Sequence, residues 1–230
     1  MNQIKRLRKL FKTYKIDGYL IPKNDEFFGE YVPENKDNLK FISNFSGSYG
    51  FALILKNKNY LFVDGRYTLQ AKIQSGKIFK IITIPKKFPR DIFKKKKISI
   101  GFDPKLHTEL MLSRLFKETN CKLIPINENL INKIWKRNKV SKFNKFYKLK
   151  DIDSGRSQKN KILTLSKILK KNKVDLQLIS APENAAWLLN LRGTDSEFTP
   201  IPNCYLIINS KMKIYMFCDL KKISKKLKKN

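Results

Sequence analysis

The stretch Asn44 to Ala71 (NFSGSYGFALILKNKNYLFVDGRYTLQA) constrains the fold more than any other part of this 230-residue sequence. It reads as loop, strand, turn, strand and helix start. Ser43 to Gly50 is a small-residue loop with two glycines, as in backbone that bends tightly or lies close to a neighbour. Phe51 to Leu55 is apolar with almost no polar alternation, which suits a strand buried on both faces. Asn57-Lys58-Asn59 has turn chemistry, and Tyr60 to Val63 is the returning strand. Asp64-Gly65 ends that strand, and Arg66 to Gln74 opens a helix. The hairpin is therefore expected at the heart of a first domain, with earlier and later strands arranged around it.

Around this centre, strands and helices alternate. Ile4, Leu7, Leu10, Phe11 and Tyr14 share one helical face, with Asp17-Gly18 as the stop. Tyr19 to Pro22 is a short strand, and Asn24 to Asn38 a polar, irregular loop. Strands are expected over 78–84, 98–102 and 122–126. A helix over 108–116 is capped by Thr108, with short helical turns near Ile92 and over 130–135. Residues 137–154 are dense in charge and carry no period, as in a linker. The pattern restarts with a helix marked by Ile162, Leu165, Ile168 and Leu169 and a strand over 174–179. Ser180-Ala181-Pro182-Glu183 reads as a capping box opening a helix that runs to Leu191, with Gly193 as its stop. A second hairpin, 204–208 with 213–217, follows. The class is α/β, with domains over 1–136 and 155–230 and the linker between them.

Fifty Lys and Arg against 19 Asp and Glu give a net charge of +31. The lysines are spread along the whole chain, and arginine, which makes the bidentate contacts to phosphate and guanine, is scarce. Specific nucleic-acid recognition is therefore not expected, although non-specific adhesion to polyanions at low salt is. No apolar run approaches the roughly 20 residues that span a bilayer, and MNQIKRLRKLF lacks the apolar core of a secretory signal. Three widely spaced cysteines fit reduced thiols and a cytoplasmic location.

There is no phosphate loop, no GxGxxG and no HExxH. The sole histidine, His107, is expected on the surface or at a helix cap. Ser46-Gly47-Ser48-Tyr49-Gly50 lacks a glycine two residues before Ser48, so it falls short of a nucleophile elbow. Two clusters stand above background. Asp64-Gly65-Arg66-Tyr67 places a carboxylate at a helix start, where it either caps and pairs with Arg66 or leaves Arg66 and Tyr67 for a ligand. Asn190 to Asp195 ends a helix, with Arg192 and Asp195 placed to bond to each other or to a neighbouring domain.

In the pieces GYLIPKNDEFFGEYVPE, FISNFSGSYGFALI, FVDGRYTLQA, IGFDP, LIPINENLINKIW and SAPENAAWLLNLRGTDSEFTPIP, in that order, the chain resembles the N-terminal part of the cytosolic three-domain aminopeptidase P (Xaa-Pro aminopeptidase) family, related to creatinase and prolidase. The resemblance implies two creatinase-like N-terminal domains, each a mixed sheet with flanking helices. The second is incomplete here, and the pita-bread catalytic domain is missing. In the family that third domain binds two divalent metals, Mn or Zn, and cleaves peptides with a penultimate proline.

No catalytic or metal-binding residue carries over to this chain, which is expected to be inactive alone. Its expected role is to shape substrate access and to supply contacts within a homodimer, with the catalytic domain as partner. Ser46, Gly47, Ser48, Arg66, Tyr67, Arg192 and Asp195 are the candidates for the substrate mouth or the interdomain contacts. The alternatives are a non-catalytic assembly module of the same fold and, more weakly, a basic nucleic-acid binder.

Overall fold

The computed structural model describes residues 2–137 and 144–228. The chain forms two compact units: Met1–Glu26 with Glu34–Asn138 (unit 1), and Phe27–Pro33 with Lys139–Asn230 (unit 2).

Unit 1 runs α1 (Asn2–Leu10), β1 (Gly18–Pro22), α2 (Asn38–Ser43), β2 (Gly50–Leu55), β3 (Asn59–Asp64), α3 (Thr68–Ser75), β4 (Lys80–Ile84), α4 (Pro89–Phe93), β5 (Ser99–Phe102), α5 (Glu109–Phe116), β6 (Lys122–Pro125) and α6 (Leu130–Ile134). Its six strands lie in the order β4-β3-β2-β1-β5-β6. β2 is antiparallel to β1 and β3, and every other pairing is parallel. The apolar run of β2 is explained by this position. Ala52 and Ile54 face one core with Leu7, Phe11, Tyr19 and Leu61, while Phe51 and Leu53 face another with Leu20, Phe62, Phe93 and Ile100. Each buried Leu, Ile or Phe among them stabilises the fold by roughly 1.5–3 kcal/mol on burial. Arg8 ties α1 to the hairpin, donating from Nε to Leu55 O at 2.8 Å and from Nη2 to Asn59 Oδ1 at 2.8 Å.

Unit 2 contains β7 (Tyr147–Lys148), α7 (Asp151–Ser154), α8 (Gln158–Lys171), β8 (Leu176–Ile179), α9 (Pro182–Leu189), β9 (Leu191–Arg192), β10 (Tyr205–Asn209), β11 (Ile214–Phe217) and α10 (Lys225–Lys228). Its three-stranded sheet, β11-β10-β8, is antiparallel throughout, where a mixed sheet was expected in each domain. Leu206 and Ile208 turn into a core with Leu169, Ala185, Leu188 and Phe146. The segment 27–33 belongs to this unit: Phe27 stacks on Tyr205 at 5.0 Å, and Tyr31 meets Phe198 edge-on at 4.9 Å.

Four local expectations are corrected. The first helix ends at Leu10 and turns through Lys15, which takes φ 51°, so Gly18 opens β1 instead of stopping the helix. The irregular loop expected over 24–38 holds a 3-10 turn at Glu34–Lys36, and α2, which was not expected, follows it with Asp37 as its cap. Its Oδ1 accepts from Lys40 N at 2.9 Å, and its carboxylate also pairs with Lys23 in a buried ion pair. α9 is preceded by Ala181 without a side-chain cap, so the Ser180 capping box does not form. That helix is closed by Asn190 at φ 48°, not by Gly193.

Of the segment read as linker, 138–143 lies outside the described residues. The remainder is folded. Phe146 is buried, β7 pairs with β9, and α7 follows directly. A single apolar anchor among lysines produces no period, so the charge pattern hid it.

Candidate functional site

Because β1, β3, β4, β5 and β6 run in one direction, one edge of the unit 1 sheet collects their five carboxyl ends and the start of β2. The loops that leave that edge carry the unit's chemistry, as in other α/β sheets.

At one end of it the structure brings five of the candidate residues together. Asp64 caps the turn after β3, its Oδ1 accepting from Arg66 N at 2.9 Å, and the exposed Arg66 returns its guanidinium to the same carboxylate at 2.6 Å. Hydrogen bonding from Arg66 holds the Asp64 carboxyl below its usual range. Arg66 also lies over the Tyr67 ring, 5.2 Å from its centre. Tyr67 Oη and Ser48 Oγ are 2.7 Å apart. Ser46 Oγ accepts from Gln70 Nε2 and Gln74 Nε2, each at 2.9 Å, so the loop is laced onto α3. Gly47 permits this packing, because a Cβ there would stand 2.3 Å from the Phe45 ring and 2.9 Å from that of Tyr67. Among the described residues neither serine bonds to an imidazole or a carboxylate, so neither is an activated nucleophile.

In unit 2, Arg192 and Asp195 do not bond to each other. Arg192 Nη1 donates to Ala186 O (3.1 Å) and Leu191 O (2.9 Å), which leaves Nε and Nη2 without an acceptor among the described residues. Asp195 is largely buried; it accepts from Asn203 N at 2.7 Å and pairs with Lys222. Gly193 has a packing role, since a Cβ would come within 2.9 Å of Pro202 Cα. Behind them lies a polar hub of which the sequence reading singled out only Asn190. Buried Lys161 donates to Asn190 Oδ1 (2.6 Å) and Trp187 O (2.8 Å). Asn190 Nδ2 in turn donates to Asp151, Ser154 and Arg156 O. Burial pushes the Lys161 ammonium below its usual pKa.

The sequence reading also missed a polar cleft of about 370 Å³ in unit 1, beyond the ends of β1, β5 and β6. Asp103, Asn129 and Arg137 are among its walls. The available signal was a capping residue after each strand: Asp103 receives Lys105 N at 2.9 Å, and Asn129 receives Ile131 N at 2.9 Å. His107 lies near by in sequence and is buried, contrary to a surface position. Its Nδ1–H donates to Asp103 O at 2.9 Å, Nε2 has no partner among the described residues, and burial lowers its pKa. No group of three or more His, Cys, Asp or Glu among the described residues is placed to hold a metal ion, so the described residues do not supply the ligand set of a two-metal centre.

Comparison with known proteins agrees with this architecture. Family models described as creatinase/prolidase N-terminal domain match residues 3–134 and 137–230. A Laccaria bicolor protein named "Probable Xaa-Pro aminopeptidase P" is 32% identical over 94% of this chain, and aminopeptidase P1 of Lotus japonicus is 30% identical over 99%. The chain spans 35% and 36% of their lengths. The crystal structure of the X-prolyl aminopeptidase of Caenorhabditis elegans, a cytosolic enzyme with a di-nuclear active site, superposes with a TM-score of 0.89. That match has 27% identity and covers 99% of this chain and 40% of that one. No helix among the described residues is long and apolar enough to cross a membrane. Two matched models, laid end to end over nearly all 230 residues, place the chain in the creatinase/prolidase N-terminal domain family.

Proposed function

We propose that this chain is the N-terminal, non-catalytic region of a cytoplasmic Xaa-Pro aminopeptidase. In this reading it shapes access to a catalytic domain that holds two divalent metals, Mn or Zn, and acts on peptides with a penultimate proline. It also supplies contacts within a homodimer and recognises no specific nucleic acid. The observation that carries the proposal is the near-complete alignment of both units with Xaa-Pro aminopeptidases. The boundary between the two domains falls, in this reading, between Arg137, bonded to unit 1, and Phe146, buried in unit 2.

Ser46, Ser48, Arg66 and Tyr67 present one surface toward substrate or a neighbouring domain and Arg192 another, with Gly47 and the ion-paired Asp195 holding those loops in place. Arg192 is the side chain with donors to spare, and a guanidinium pairs bidentately with carboxylates. The test joins the chain to the catalytic region of a similar aminopeptidase P. The joined protein is expected to cleave Xaa-Pro peptides with added Mn²⁺ or Zn²⁺, and the 230-residue chain alone to cleave none. Arg192→Ala is expected to lower kcat/KM of the joined protein at least tenfold, about 1.4 kcal/mol, with little change in Tm. Metal-dependent turnover by the pure chain alone overturns the non-catalytic reading. Unchanged activity per folded molecule in Arg192→Ala makes that residue a structural tie.

A further inference from the structure

We propose that the polar cleft beyond β1, β5 and β6 binds a small zwitterion, a free amino acid or a dipeptide. Its carboxylate would meet the amide groups of Asn38, Asn129 and Asn132 with Lys105, and its ammonium would meet Asp103. The proposal is independent of the peptidase reading, because it rests only on which atoms of unit 1 are already committed.

Arginine can only donate hydrogen bonds, so the atoms it meets must be oxygens. Arg137 donates to Asn35 O at 2.5 Å, to Asn38 Oδ1 at 2.7 Å and to Asn132 Oδ1 at 2.6 Å. The third amide is oriented by the same logic, since Asn129 Oδ1 accepts the backbone N–H of Ile131. All three amide oxygens are therefore consumed by the protein. The three –NH₂ groups lie in residues that wall the cleft, and none has an acceptor among the described residues.

The charges divide in the same way. Lys36 is 2.5 Å from Glu26 and 3.7 Å from Asp25, so those two carboxylates are answered within the protein. Arg137 hydrogen-bonds only neutral oxygens and feels the Glu26 carboxylate at longer range, and the Lys105 ammonium forms no ion pair among the described residues, so Lys105 supplies the positive charge left for an anionic group. Asp103 uses Oδ1 for Lys105 N–H and leaves Oδ2 without a donor among the described residues, so one negative site remains for a cation.

Asn38, Asp103 and Asn129 are each more than nine-tenths buried. Their uncommitted polar atoms keep access to water, so a ligand there would replace water as the partner. The 370 Å³ cleft stands near the lower end of the roughly 300–1,000 Å³ usual for ligand sites. A molecule of dipeptide size with an anionic and a cationic end meets both demands.

The test titrates glycylglycine into the full chain by calorimetry and follows the asparagine side-chain NH₂ signals by NMR. Saturable binding is expected, with the signals of Asn38, Asn129 and Asn132 shifting. N-acetylglycylglycine, which lacks the ammonium, and glycylglycinamide, which lacks the carboxylate, are each expected to bind about tenfold weaker or worse. Asn129→Asp keeps the oxygen that caps α6 and replaces the amino donor with an acceptor. It is expected to weaken glycylglycine at least tenfold while leaving Tm nearly unchanged. Asn132→Asp, at an exposed position, repeats that test if Asn129→Asp folds poorly. Asp103→Asn keeps the cap for Lys105 N–H and removes the charge; it should weaken glycylglycine and leave N-acetylglycylglycine unaffected. The proposal is overturned by absent saturation, by equal binding of all three compounds, by indifference to these variants, or by inorganic phosphate binding more tightly than glycylglycine.

Discussion

The two units bury their sheets in different ways. In unit 1 both faces of six strands are covered, and alternate residues of β2 and β3 enter separate cores. In unit 2 one face of three strands is fully covered, and the other carries only partial cover, such as Phe27 on Tyr205. On the other face Leu178 and Tyr215, both opposite Ile207 in register, are exposed, as is Phe217. The smaller unit compensates with polar order: buried Lys161 and the left-handed Asn190 join α7, α8 and α9. Continuous apolar runs are thus the mark of two-sided burial, while a half-covered sheet leans on a few specific hydrogen bonds.

Each unit carries one of the two tryptophans, so single-tryptophan variants report the units separately: Trp135 stacks on Phe41 in unit 1, and Trp187 lies beneath Lys161 in unit 2. The largest effect is expected from Phe62→Ala, which empties a fully buried position stacked on Phe51 at 4.6 Å. A loss of about 3–5 kcal/mol is expected in denaturant melts read at Trp135, with the Trp187 transition little moved. A shared loss would mean that the units unfold as one.

Lys161→Met comes next. It leaves Asn190 Oδ1 and Trp187 O without their donor, and about 2 kcal/mol of unit 2 stability is expected to go, read at Trp187. A neutral or stabilising result would show that desolvating the ammonium had cost as much as its bonds returned.

Acid provides a third contrast, because the only histidine is in unit 1. Burial depresses the His107 pKa, so the unfolded chain takes up the proton first. Stability is complete above the ordinary histidine value, near pH 6.5, and is lost as pH falls below it, by at most about 1.4 kcal/mol per pH unit. His107→Gln should flatten that dependence at Trp135. A slope that survives the substitution assigns it to carboxylates.

The smallest effect is expected from Leu178→Lys on the open face of unit 2, within roughly 0.5 kcal/mol in either direction. A loss above about 1 kcal/mol would show that this face is covered in solution.

The sequence made the central hairpin legible because a two-sided strand between turn residues admits few other readings. β1, β5 and the Thr108 cap followed from the same local rules, and Met111 N does bond to Thr108 Oγ1 at 3.2 Å. α2 was hidden because the polar stretch before it masks Asp37, whose carboxylate both caps the helix and pairs with Lys23. Phe146 was hidden because one buried aromatic has no periodicity. The Ser48–Tyr67 contact was not anticipated, because the two residues stand in separate motifs and the hydroxyl pair depends on how the loop folds back over α3. The cleft was illegible for a different reason. Its walls come from segments more than 100 residues apart, such as Asn35 and Arg137, and only tertiary folding decides which amide oxygens Arg137 consumes.

Residues 27–33 lie in the sequence between two pieces of unit 1, yet they belong to unit 2. The second unit is therefore not a cassette. A gene segment starting at residue 139 would encode it without Phe27 and Tyr31, and would leave Tyr205 and Phe198 without their ring partners. A single cut between residues 138 and 139 leaves unit 1 whole and always parts unit 2 from residues 27–33, a penalty that a bead-on-string arrangement avoids. During synthesis the first strip of unit 2 leaves the ribosome more than a hundred residues ahead of the rest and must wait, unpaired, for the strand that receives it.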